Sequence, residues 1–143
     1  MNILDLRKKA DAGSLVAQAA LGLCYLDGIG VGKDYDEAFC LLSAAAKRGA
    51  PRAQTGLARM YADGLGVPQN PSKAMELYQR AAEGGEFFAQ IELGRAFSRG
   101  SAVAVDRVEA LRWYSAAASQ EAIVEDCEEL REAKAYLADS AGD

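Results

Sequence analysis

Residues 17–49, AQAALGLCYLDGIGVGKDYDEAFCLLSAAAKRG, decide the fold, because the same pattern is written again from 53 and, with more change, from 89. Ala17, Ala53 and Ala89 stand 36 residues apart with no gap. In that register Leu21, Leu57 and Leu93 coincide, as do Tyr25, Tyr61 and Phe97, and Gly28, Gly64 and Gly100. Val31, Val67 and Val103 follow, then Ala38, Ala74 and Ala110, and then the pairs Ala45-Ala46, Ala81-Ala82 and Ala117-Ala118. Matches that recur at fixed positions are the signature of a repeat array in which each unit buries its apolar face against the next. The register also runs upstream. Gly13, Ala10, Leu6 and Ile3 precede Gly49, Ala46, Leu42 and Phe39 by the same interval, so residues 1–16 read as the second half of a repeat.

Each unit reads as two helices. Ala17, Leu21 and Cys24/Tyr25 have helical spacing, and so have Ala38, Leu41/Leu42, Ala45 and Ala46. Between them lies DGIGVGKD, residues 27–34, which by itself looks like a phosphate-binding loop. A Walker loop needs glycine at 27 and Ser or Thr at 34, and both are aspartate. A dinucleotide fingerprint begun at Gly28 needs glycine at 33, which is lysine. The counterparts DGLGVPQN (63–70) and RGSAVAVD (99–106) keep the turn and lose Lys33. The stretch is a helix stop, a loop and a helix start. Gly28 suits a left-handed C-cap, Val31, Val67 and Val103 plug the core beneath the turn, and Asp34, Asn70 and Asp106 suit N-caps. Asp34 with Glu37, and Asp106 with Glu109, read as capping boxes. Pro71 falls at a first helical position, where no hydrogen bond is lost.

Composition agrees with closely packed helices, since half the residues are hydrophobic, alanine is prominent and aromatics are few. The chain carries no histidine, which removes imidazole acid–base chemistry, Ser-His and Cys-His nucleophiles and HExxH zinc sites. Cys24, Cys40 and Cys127 are odd in number and lack CxxC spacing, so free thiols are expected, with no metal site and no cofactor. The net charge of −5 is uneven. Residues 121–143 hold eight acidic and two basic side chains, and the rest is close to neutral. Such a balance argues against nucleic acid as a partner. No apolar run approaches a membrane span and no secretory h-region is visible, so membrane insertion is not expected and a cytoplasmic location is.

The pattern A-x3-L-G-x2-Y-x2-G-x-G-V-x2-D-x3-A-x2-W-Y-x2-A-A, carried by residues 17 to about 120, resembles the Sel1-like repeat, a relative of the tetratricopeptide repeat. Trp113-Tyr114 supplies the family's aromatic pair, where the other units have Leu41-Leu42 and Leu77-Tyr78. Ala58 stands for a helix glycine, Ala102 for a loop glycine and Glu121 for the terminal glycine. The resemblance implies an all-α, right-handed α/α superhelical solenoid with repeats at 17–52, 53–88 and 89–120, an N-terminal half repeat at 1–16, and an acidic capping helix at 121–143, all in one domain. It also implies a non-catalytic adaptor or scaffold, often bacterial, that binds a protein or peptide. In a cysteine-rich branch with β-lactam binding every repeat carries a disulfide pair. Here Cys24 aligns with Met60 and Ala96, and Cys40 with Glu76 and Arg112, so that activity is not carried over.

By analogy with related repeats, the first helices line a concave groove. Its expected positions are Leu23, Arg59 and Arg95, then Leu26 with Ala62 and Ser98, then Asp27, Asp63 and Arg99, with Arg52 and Phe88 near the helix starts. A peptide with an acidic segment beside an apolar one suits that strip, because the arginine fork holds carboxylates bidentately. The competing reading is ordinary solvated ion pairing among Arg59, Asp63, Glu92, Arg95 and Arg99. Trp113 and Tyr114 are expected in the core, and one of Phe87 and Phe88 outside it. Ile123, Cys127, Leu130, Lys134 and Leu137 form the expected stripe of the terminal helix, with Glu121, Glu125 and Asp126 near its start. Self-docking of acidic residues into the arginine groove is a further option for this helix. Two alternatives stand beside an adaptor: a dedicated inhibitor or immunity-type partner of one toxin or enzyme, and a cysteine-dependent enzyme using the exposed Cys40. The oligomeric state stays open.

Overall fold

The repeat signals become helices at the expected places. The computed structural model describes residues 2–142, which hold eight helices and no strand. They are α1 (Ile3–Asp11), α2 (Leu15–Asp27), α3 (Tyr35–Lys47), α4 (Pro51–Asp63), α5 (Pro71–Glu83), α6 (Phe87–Arg99), α7 (Arg107–Ala118) and α8 (Glu128–Ala141). The chain forms two compact units, Met1–Ala81 and Ala82–Asp143. In the first, α2 packs on α1, α3 and α4, and α3 packs on α4. In the second, α6 packs on α7, and both pack on α8. Small residues bring the helices close. Leu42 is fully buried, and a Cβ on Gly22 or Gly56 would stand 2.8 or 3.1 Å from its side chain.

The loops do what their chemistry dictates, with one substitution of partners. Gly28, Gly64 and Gly100 are left-handed C-caps. Asp34 accepts from the amides of Asp36 and Glu37, Asn70 from Lys73 and Asp106 from Glu109. The valines beneath the turn are half-buried. The reciprocal arm of the capping box is replaced. The N-cap amides of Asp34, Asn70 and Asp106 donate to the carbonyls of Tyr25, Tyr61 and Phe97, at 3.0, 2.8 and 2.9 Å. Glu37 instead lies 3.6 Å from Arg7, and Glu109 3.4 Å from Arg112. Each orphan amide is thus satisfied by the preceding helix, which clamps the loop shut.

A second contact recurs at glutamines whose sequence pattern does not disclose it. Gln18, Gln54 and Gln90 donate through Nε2 to the carbonyls of Ala10, Ala46 and Ala82. Arg48 then reaches Gly13 O and Gln18 Oε1, and Gln120 reaches Gly85 O and Gln90 Oε1.

Ala102 occupies a left-handed conformation with φ 62°, where the other copies have Gly30 and Gly66. A Cβ in that region costs roughly 1–2 kcal/mol, partly offset in the unfolded chain by the restriction it brings. Ala102→Gly is therefore expected to stabilise the protein by up to about 1 kcal/mol, read as a rise of roughly 3 °C in Tm.

The terminal helix begins later than its sequence suggests. Residues 119–127 are not helical, and α8 starts at Glu128. Ile123 lies outside it and is 82% exposed, so it leaves the expected stripe. Glu128 and Glu129, not Glu121, Glu125 or Asp126, fill the first turn. Leu130 and Ala133 carry the packing, closing a core with Phe87, Ile91, Tyr114 and Ala117. Glu121 pairs with Lys134, and Asp126 with Arg131. Trp113 and Tyr114 are buried as expected.

Candidate binding surface

Residues spaced four, three and four apart share one stripe of a helix. On α2 that stripe is Val16, Ala20, Leu23 and Asp27, on α4 it is Arg52, Gly56, Arg59 and Asp63, and on α6 it is Phe88, Glu92, Arg95 and Arg99. Leu26 does not belong to it. It continues the buried row Ala19–Gly22 and is only 2% exposed, so its place in a binding surface is corrected to the core. Leu23 is half-buried, its Cδ2 filling the space that a Cβ on Gly56 would need.

In the first unit Arg59 grips Asp27 with two bonds, of 2.9 and 3.4 Å. The bond to Asp27 is the largest influence raising the Arg59 guanidinium above its ordinary value, and Asp63, one turn beyond, adds a smaller one. Arg52, Asp63 and Val16 are exposed. In the second unit Phe87 is buried and Phe88 is 50% exposed, with their rings edge to face.

Arg95 has a denser setting. Its Nη1 lies 2.7 Å from Glu92 Oε1, its Nε 3.0 Å from both oxygens of Glu132, and its Nη2 2.6 Å from Glu132 Oε2. The Tyr114 hydroxyl donates to Glu132 Oε1 at 3.0 Å, and Arg99 Nη2 stands 3.8 Å from the same oxygen. Gly94 admits this arrangement, because a Cβ there would stand 2.9 Å from the Tyr114 ring. Burial and then the bond to Glu132 push the Tyr114 hydroxyl up to about 12, so it stays a donor across the physiological range. The bond from Arg95 is the largest influence holding the Glu132 carboxyl below its ordinary value of 4.5. Charge-assisted forks of this kind are roughly twice as strong as neutral hydrogen bonds.

The pH dependence follows from that direction. A carboxyl depressed in the folded state stabilises above its unfolded value and loses the contribution as pH falls through its folded value. The wild type is expected to exceed Glu132→Gln in stability by about 1 kcal/mol at pH 7, with the gap closing below pH 4.5. Urea midpoints between pH 7 and 3 would show it, and a gap independent of pH would reject it.

Cys24, Cys40 and Cys127 are free thiols and Cys40 is exposed. Among the described residues no helix is long and apolar enough to cross a membrane.

Three stretches, residues 15–49, 51–86 and 88–121, match the Sel1 repeat. A Sel1 repeat protein from Oxalobacter formigenes is 43% identical, with 95% of this chain and 96% of that chain covered and a TM-score of 0.76. The protein c5321, a protective antigen of uropathogenic Escherichia coli strains with an SLR fold, is 31% identical at the same TM-score. That match covers 98% of this chain and 33% of the antigen. A search of curated proteins found no match.

Proposed function

The chain belongs to the Sel1 repeat family, and from that premise we propose that it is a non-catalytic module that captures a protein or peptide segment on the exposed stripes of its first helices. Sel1 repeat proteins generally mediate protein–protein interactions. The observation that carries the reading for this chain is the stripe on α6. Phe88 is half out in solvent, and Arg99, about 16 Å further along the same face, has a 66% exposed side chain. Aromatic and arginine side chains are the residues that most often anchor partners. Arg52 and Asp63 offer the corresponding exposed positions on α4. A segment with an acidic stretch beside an apolar one suits this chemistry. Leu23, Arg59 and Arg95 contribute indirectly, since each is engaged within its own unit.

The test leaves the internal pairs intact. Wild type and an Arg52→Glu/Phe88→Ala variant, both immobilised, are compared for captured proteins by quantitative mass spectrometry, with helicity checked by circular dichroism. At least one protein enriched by the wild type is expected to be lost with the folded variant. A folded variant that retains every captured protein would remove the reading.

A further inference from the structure

Glu132 comes from outside the repeats yet sits in the α6 stripe as a ligand would. Its two oxygens take bonds from Arg95 and Tyr114, and Arg99 stands within ion-pair distance. The helix that delivers it is joined to α7 by residues 119–127, which are not helical. Its apolar contact is made by Leu130 and Ala133, which are buried, and by Tyr136 and Leu137, which are partly covered, with Cys127 just ahead of the helix. A carboxylate from one short helix, held by an arginine fork and a phenol, displays what this face recognises.

We propose that α8 is a built-in ligand of the α6 stripe, and that an amphipathic acidic helix of a partner competes with it for Arg95, Tyr114 and Arg99. The inference rests on the reading of first-helix stripes as binding surfaces. It also specifies the competitor. Removing α8 uncovers Phe87, Ile91 and Ala117, so the replacement must present an apolar side chain two residues before its carboxylate and a small one directly after it. Leu130, Glu132 and Ala133 have that spacing. Further apolar groups one turn on would take the places of Tyr136 and Leu137. A purely acidic, non-amphipathic peptide leaves the core open and fails.

The probe is a fluorescein-labelled peptide with the sequence of residues 126–141, titrated into the full-length chain and followed by anisotropy. In the wild type, tethered α8 acts at an effective concentration near the millimolar range and suppresses binding. Glu132→Gln in the chain weakens only the resident helix, so the peptide is expected to bind this variant up to about fivefold tighter than the wild type. A peptide carrying the same Glu-to-Gln change should bind both chains more weakly, with the same relative gain on the variant. With isotope-labelled wild-type chain, saturating unlabelled peptide is expected to speed hydrogen exchange of the α8 amides. Equal affinity for wild type and a folded Glu132→Gln variant, absence of peptide binding to either, or α8 exchange unchanged by bound peptide would each overturn the proposal. Such an outcome leaves partner capture through Arg52 and Phe88 untouched, because that variant keeps Arg95, Arg99 and Glu132.

Discussion

Leu42→Ala is expected to destabilise the first unit by about 3–4 kcal/mol, toward the upper part of the range for buried leucine truncations. The reason is what surrounds the side chain. Leu42 is fully buried, with Gly22 of α2 and Gly56 of α4 against it. Glycines have no side chains to swing into the void, so the cavity persists. The same geometry predicts a reversal of sign. Gly22→Ala alone places a Cβ 2.8 Å from two Leu42 atoms and should destabilise. In the Leu42→Ala background the two 2.8 Å contacts are gone and Leu41 Cβ, at 3.2 Å, is the remaining close neighbour, so the added Cβ fills part of the void and adds helix propensity of roughly 1 kcal/mol. A double-mutant cycle by urea denaturation should therefore show strong coupling, and purely additive effects would contradict the packing described.

Gly66→Ala is expected to cost about 3 kcal/mol, or roughly 10 °C in Tm. Gly66 has φ +71°, and a Cβ there would stand 2.5 Å from Tyr35 Cβ. That atom is fixed by the backbone at the start of α3, so no rotamer change relieves the contact. Gly30→Ala should be milder, because its Cβ would meet Ile3 Cγ1 at 3.1 Å, on a side chain that can turn. At Ala102 the methyl is already present, and only the backbone strain remains. The three copies of one loop position thus form a graded series. A Gly66→Ala variant no less stable than Gly30→Ala would show that Tyr35 can yield.

The sequence made the periodic features legible. Helices, left-handed caps and N-caps depend on residues within a few positions of one another, so Gly28, Asp34 and Pro71 state their roles locally. The glutamines at 18, 54 and 90 were equally periodic, but a recurrent polar residue reads as surface when its acceptor lies eight positions back in the preceding helix. Leu26 lies in the core and not on the binding stripe because the buried face of α2 widens at its end to include the row from Ala19, which only helix packing reveals. Glu132 had no counterpart in any repeat. Acidity alone could raise self-docking as an option but could not select one carboxylate among eight. The irregular stretch from 119 to 127 shifts the helix register on which any such choice depends.

The bonds from the N-cap amides to the carbonyls of Tyr25, Tyr61 and Phe97 fix the chord of each connection. Donor and acceptor stand nine positions apart in every copy, so the three connections are parts cut to one gauge. They can be transplanted between repeats without lengthening or shortening the chain. The traffic is not symmetrical, however. The second connection brings a glycine to position 102 and relieves strain there, whereas the third brings alanine to position 66, against Tyr35. At this one position, exchange therefore relieves strain in one direction and meets a methyl clash in the other.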